Sequence, residues 1–131
     1  MVFRRRKGVA IVETSKGILV VSGKGKTFNL PGGGAESWES RKKATIRELY
    51  EETGLKTKNI RYLFSYVGSK WHNFRGKPVR NHSKVFLVSA EGVPRPNHEI
   101  KYIDYYKLGS KIKIGDGTKK IMEKYFREYR K

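Results

Sequence analysis

Apolar residues fall along this chain in two rhythms. Residues 9–13 (VAIVE) and 17–22 (GILVVS) are β-branched runs on either side of Thr14, Ser15 and Lys16, a pattern that predicts a β-hairpin. Residues 26–30 (KTFNL) read as a short extended segment running into Pro31-Gly32-Gly33-Gly34, a strong chain-reversal signal. Residues 59–67 (NIRYLFSYV), 83–90 (SKVFLVSA) and 100–106 (IKYIDYY) predict further strands. A polar, basic loop over residues 68–82 is expected between the first two of these. The helical period appears twice. Residues 40–53 predict a helix capped by Ser37 or Ser40 and stopped at Gly54, and residues 118–129 predict an amphipathic helix carrying Ile121, Met122, Tyr125 and Phe126. Strands, helix, strands, helix is the order of an α/β domain, a mixed sheet with helices packed on it.

At 131 residues the chain fits one domain. With 37% hydrophobic residues it has enough apolar material for a core. No apolar run approaches the roughly 18–20 residues that span a bilayer. The start is charged but lacks a following apolar stretch with a small-residue cleavage site, unlike a secretory signal. Without cysteine there is neither a disulfide framework nor a thiolate metal site, so a cytoplasmic location is the expectation.

Charge changes the picture. Thirty Lys and Arg against twelve Asp and Glu give +18, a field that draws nucleotides, nucleic acid or acidic lipid toward the protein. Residues 1–7 are expected to form a solvated basic arm. Against this background Glu36, Glu39, Glu48, Glu51 and Glu52 crowd into seventeen residues. On a wheel of roughly 100° per residue, Ile46, Leu49, Tyr50 and Thr53 share the face expected to pack on the sheet. Glu48, Glu51 and Glu52 fall opposite, with Ala44 leaving space one turn earlier. Like charges at this spacing repel, and a hard divalent cation relieves that repulsion. The helix alone also admits an ordinary solvated acidic face, because Glu is a good helix former.

Residues 33–55 (GGAESWESRKKATIRELYEETGL) decide between these readings. They resemble the Nudix box: glycine, five residues, Glu, seven residues, then Arg-Glu-apolar-X-Glu-Glu-X-Gly-apolar. Gly33, Glu39, Arg47, Glu48, Leu49, Glu51, Glu52, Gly54 and Leu55 satisfy every specified position. Leu30-Pro31-Gly32 fits the family's usual lead-in, whereas Trp38 stands where glycine is common and alters the loop surface. The resemblance implies a Nudix-type α/β/α sandwich with a mixed sheet. It also implies Mg²⁺ (or Mn²⁺) held by Glu48 and Glu52, with Glu51 as a further ligand. Arg47 resembles the arginine that orients these carboxylates, partly through an ion pair with Glu39. Gly33 and Gly34 would let backbone come close to metal or phosphate. A metal-activated water would be the nucleophile, with a Glu as base.

That base is open between a box Glu and a distal one. Residues 97–100 (NHEI) resemble a segment where certain relatives place an extra Glu near the metal, making Glu99 the candidate distal ligand or base; a surface Glu after the turn at residues 94–96 is the alternative. His98 is a phosphate contact or a solvated loop histidine. Phe28, Trp38, Trp71 and Tyr102 lie near loops or strand ends, either as surfaces for a nucleobase or as ordinary core or surface aromatics. Residues 70–80 interleave bases with aromatics, as in a nucleotide or single-strand contact or a solvated hairpin loop. The function expected is hydrolysis of a diphosphate in a nucleoside triphosphate, dinucleoside polyphosphate or nucleotide sugar. The alternatives are an RNA 5′-end pyrophosphohydrolase and a non-catalytic module binding nucleic acid or polyphosphate. Many relatives dimerise, so a homodimer is the assembly the resemblance suggests.

Overall fold

The computed structural model describes residues 1–130. Eight strands and two α-helices follow in the order β1 (Phe3–Ile11), β2 (Glu13–Thr14), β3 (Gly17–Ser22), β4 (Gly32–Gly34), α1 (Arg41–Thr53), β5 (Lys56–Val67), β6 (Trp71–His72), β7 (Pro78–Glu91), β8 (Tyr102–Tyr106) and α2 (Asp116–Lys124). A π-helical turn, Tyr125–Tyr129, extends α2. The larger sheet runs β4-β1-β7-β5, with β6 on the outer part of β7. Within it β1 and β7 are parallel and the other pairs antiparallel, so the sheet is mixed. A smaller antiparallel sheet runs β2-β3-β8.

Helices cover both sides. Ile121, Met122 and Tyr125 pack with Val9, Ile11, Phe64 and Val85 on one face. Leu49 packs with Ala10, Phe86 and Val88 on the other. Alternation along β1 explains the split: Val9 and Ile11 point one way, Ala10 the other. No helix among the described residues is long and apolar enough to cross a membrane.

The structure corrects several expectations. The stretch read as a solvated basic arm is the first half of β1, hydrogen-bonded in register with β7 from Phe3↔Val79 to Lys7↔Ser83. Arginine is compatible with this because side chains on an uncovered strand stay in water while the backbone pairs, and Arg4, Arg5 and Arg6 are all exposed. Residues 26–30, read as a short extended segment, join their neighbours through isolated bridges, Val21↔Asn29 and Phe28↔Ile114. The long basic loop is shorter than expected, because β7 begins at Pro78 and β6 pairs with it inside the expected loop.

α1 begins and ends as its sequence predicts. Ser40 Oγ accepts the Lys43 N–H at 3.1 Å, and Gly54 closes the helix in the left-handed region at φ 76°. Its rotation differs. Ala44, Thr45, Leu49, Glu52 and Thr53 are the buried residues, while Tyr50 is half exposed and Ala44 leaves no open space. Gly8 is the reason: a β-carbon there would overlap Thr45 Oγ1 and the Arg41 carbonyl, so strand and helix touch along the 41–45–49–52 line. That contact carries Glu52 inward.

Candidate active site

The turn before α1 and the helix itself assemble the acidic cluster around one guanidinium. Arg47 donates from Nε to Glu39 Oε2 at 2.8 Å and from Nη2 to Glu39 Oε1 at 2.9 Å, a two-pronged ion pair. Its Nη1 donates to Glu48 Oε1 at 2.7 Å and to Glu51 Oε1 at 3.0 Å, and Nη2 reaches the Gly34 carbonyl at 3.1 Å. Arg47 thus ties the loop to three carboxylates. The hydrogen bonds from Arg47, aided by the Glu36 N–H, hold the Glu39 carboxyl down at about 2. The same carboxylates push Arg47 further up, keeping it charged.

Glu52 has a different environment. It is 6% exposed, and its Oε1 accepts the Gly32 N–H at 3.0 Å. Burial pushes its carboxyl up to about 8, with Glu48 and Glu99 adding repulsion against the relief from Gly32 and Lys7. Glu48 is raised as well, by burial first, while Arg47 opposes the shift. Gly33 leaves room for that carboxylate, since a β-carbon at Gly33 would overlap Glu48 Oε2.

Glu99 arrives from a distant loop, fixed to the end of α1. The Arg95 N–H donates to the Thr53 carbonyl at 2.9 Å and the Asn97 N–H to the Glu52 carbonyl at 3.1 Å, filling carbonyls the helix leaves without partners. His98 turns the chain in the left-handed region at φ 52°. Carboxylate oxygens of Glu48, Glu52 and Glu99 then lie within 4.8 Å of one another. Glu51 stands outside this trio on the helix rim, with its side chain 41% exposed and bonded to Arg47.

The trio suits a divalent cation. Three oxygen-only donors, one of them buried and held above its ordinary pKa chiefly by that burial, form a hard ligand set that Mg²⁺ or Mn²⁺ prefers. Gly33, where a β-carbon would displace the Glu48 carboxylate, lies directly against it.

Other expected residues are placed less centrally. Trp38 is 82% exposed at the tip of the β4–α1 turn, and Phe28 is a core residue. The sequence reading missed Lys7. It follows the β1 alternation, lying two residues before Val9 on the same face, and it is partly buried. Burial and the nearby Arg5 lower its ammonium pKa, and Glu52 and Glu48 act in the opposite direction. Lys7 also lines a cavity of about 340 Å³ with Asn29, Tyr66, Asn81, Ser83 and Thr118. The Asn81 Oδ1 on this cavity is enclosed without a protein partner.

Comparison with known proteins finds relatives of the whole domain. The NUDIX domain model matches residues 3–125. An ADP-ribose pyrophosphatase of Methanocaldococcus jannaschii is 30% identical over 122 residues, covering 89% of this chain and 70% of that protein. The crystal structure of a nudix hydrolase family member from Chromobacterium violaceum superposes with a TM-score of 0.78 at 34% identity, over 94% of this chain and 77% of the other. A MutT NUDIX hydrolase from Burkholderia pseudomallei shares the fold, with a TM-score of 0.74 at 20% identity, over 92% and 96%.

Proposed function

Because the chain belongs to the Nudix hydrolase family, we propose that it hydrolyses the diphosphate of a nucleoside diphosphate joined to a second group, with ADP-ribose the leading candidate, using Mg²⁺ or Mn²⁺. The observation that carries this reading is the convergence of Glu48, Glu52 and Glu99 within 4.8 Å, beside a glycine that leaves the approach open. ADP-ribose leads because the Methanocaldococcus jannaschii relative bears that activity in its name.

Glu48, Glu52 and Glu99 would hold the cation. When bound, it lowers the pKa of a coordinated water and offsets charge developing on the phosphate oxygens. The residues of the chain perform the rest. Arg47 keeps Glu39, Glu48 and the Gly34 carbonyl in register, so the carboxylates are aimed before substrate arrives. Glu51, half exposed on the same helix and anchored through Oε1, accepts the proton of the attacking water. Lys7, between the acidic trio and the cavity, offers its ammonium to the diphosphate. The cavity beyond it has an apolar floor of Val9, Leu30 and Ile121 and amide edges from Asn29 and Asn81, and it takes the nucleoside.

The test is a panel of ADP-ribose, diadenosine polyphosphates, nucleoside triphosphates and nucleotide sugars, assayed with and without Mg²⁺ or Mn²⁺ and with the products separated. Turnover of ADP-ribose to AMP and ribose phosphate, abolished by chelator, is expected. Failure to cleave any member of the panel with either metal would overturn the proposal.

A further inference from the structure

The acid-free half of the large sheet meets the diphosphate site only on the face of Lys7, Val9 and Asn81, and its other face has no role in that chemistry. Residues 1–12 carry four Lys and Arg and residues 53–90 carry eight, and neither segment contains an Asp or Glu. Folding brings them together, because β1 pairs in parallel with β7 and β7 pairs with β5. The register puts Arg4 beside Arg80, Arg6 beside His82 and Gly8 beside Lys84. Across the other edge of β7, Val67 lies beside His82, Ser65 beside Lys84 and Tyr62 beside Phe86. Gly8 beneath α1 and Phe86 in the Leu49 cluster identify this as the α1 side of the sheet.

α1 covers only part of that side. The helix starts at Arg41, against Gly8, so the strand ends carrying Arg4, Arg80 and His82 project past its first turn. Arg4 and Ser65 are exposed, and Tyr62 and Val67 are each 50% exposed. Arg41 reaches across to the His82 carbonyl at 3.2 Å, adding a further cation at the border. Arg80 Nε is enclosed with no acceptor. Neighbouring strands stand about 4.8 Å apart and same-face residues about 6.7 Å apart along a strand, so these cations form a closely spaced grid. A fixed grid of this kind complements a linear run of phosphates better than a single small anion. Tyr62, with the Lys84 ammonium 5.6 Å from its ring centre, adds an aromatic surface beside the grid.

We propose that this uncovered strip, centred on Arg4, Arg80, Lys84 and Tyr62, binds a single-stranded polynucleotide through its phosphodiester backbone, with a base stacked on Tyr62. It is separate from the acidic trio and does not depend on the diphosphatase reading. The half-exposed tyrosine selects a single strand, because stacking needs an unpaired base.

The test measures fluorescence anisotropy of labelled oligo-U and oligo-dT of about 15 nucleotides, a length within the range of known single-strand sites, across a salt titration. Binding that weakens with salt, with a log–log slope of about 0.7 per phosphate contacted, is expected. Arg4→Glu/Lys84→Glu is expected to weaken it at least tenfold and flatten the slope, and Tyr62→Ala to weaken it by about 5- to 100-fold. Arg4→Gln/Lys84→Gln provides the same comparison should the reversal fail to fold. Lys111→Glu/Lys113→Glu, which changes net charge equally at exposed positions elsewhere, is expected to have little effect. Equal loss in that control, no binding to either oligonucleotide, or binding that moves instead to phosphatidylserine vesicles would overturn the proposal. Hydrolysis of free nucleotide by the double variant stays at the parental rate if the strip and the acidic site are separate.

Discussion

The Asn97 N–H donates to the Glu52 carbonyl at 3.1 Å, so the residue whose side chain is the most buried acid of the site also anchors, through its backbone, the loop that delivers Glu99. One residue therefore sets both the helical and the distal side of the trio. The loop arrives at α1 for a general reason: the last carbonyls of a helix lack internal partners, and a passing strand of N–H groups satisfies them.

Glu52→Gln keeps the size and the bond from Gly32 while removing the negative charge. Turnover is expected to fall by about a thousandfold or more, the scale lost when a cation and its electrostatic assistance are removed. Steady-state assays check this, with circular dichroism confirming an intact fold. Activity within a few-fold of the parent would exclude Glu52 from the metal site.

The pH dependence of stability follows from the same carboxyl. Glu52 ionises at about 8 in the folded chain and near 4.5 when freed. Between those values the folded state holds the extra proton, so raising pH through that window favours the unfolded state. In chelator, thermal stability should decline from pH 5 to pH 8 by on the order of a few kcal/mol. The decline should be markedly smaller in Glu52→Gln, where of the two raised carboxyls only Glu48 remains. Added Mg²⁺ should recover it at pH 8 for the parent, because the bound cation favours the ionised carboxylate. Differential scanning calorimetry across that range makes the comparison.

Arg47→Lys tests positioning. Lysine retains the charge but cannot bond both Glu39 oxygens while reaching Glu48, Glu51 and the Gly34 carbonyl. A loss of about 10- to 100-fold in kcat or metal affinity is expected, the range for partners that orient metal ligands. The loss should appear in kcat more than in KM, since Arg47 is bonded to the carboxylates rather than aimed at the cavity.

Gly33→Ala should separate activity from stability. The added methyl overlaps the Glu48 carboxylate, an end of a side chain that can swing aside, so the fold survives while the ligand is displaced. A shift of about 1 Å at such a site costs on the order of a hundredfold. Kinetics paired with thermal melting would show the asymmetry.

Much of the site is legible in the linear pattern, because its chemistry is local. Arg47, Glu48, Glu51 and Glu52 lie within two turns of one helix, and the spacing to Glu39 sets the ion pair. The mixed α/β fold follows from the order of strands and helices. The contribution of Glu99 is readable only through family resemblance, since no local period joins it to α1. The rotation of α1 is not readable from the wheel. Hydrophobicity nominates Ile46 and Tyr50 for the buried face, whereas the close approach at Gly8 brings Thr45 and Glu52 there instead. The basic start illustrates a second limit. Arg4, Arg5 and Arg6 look like a solvated arm because charge is a poor guide to backbone pairing when side chains can remain in water. Lys7 is hidden for the same reason, although its parity with Val9 on a strand is a signal once β1 is extended backward.

The most direct measurement of the central claim is an anomalous difference map from crystals soaked in Mn²⁺ with a non-hydrolysable ADP-ribose analogue. A peak is expected about 2.0–2.3 Å from carboxylate oxygens of Glu48, Glu52 and Glu99, with the diphosphate of the analogue against it. Crystals that hold the analogue with no manganese at those three carboxylates, or with the ion elsewhere on the protein, would contradict it.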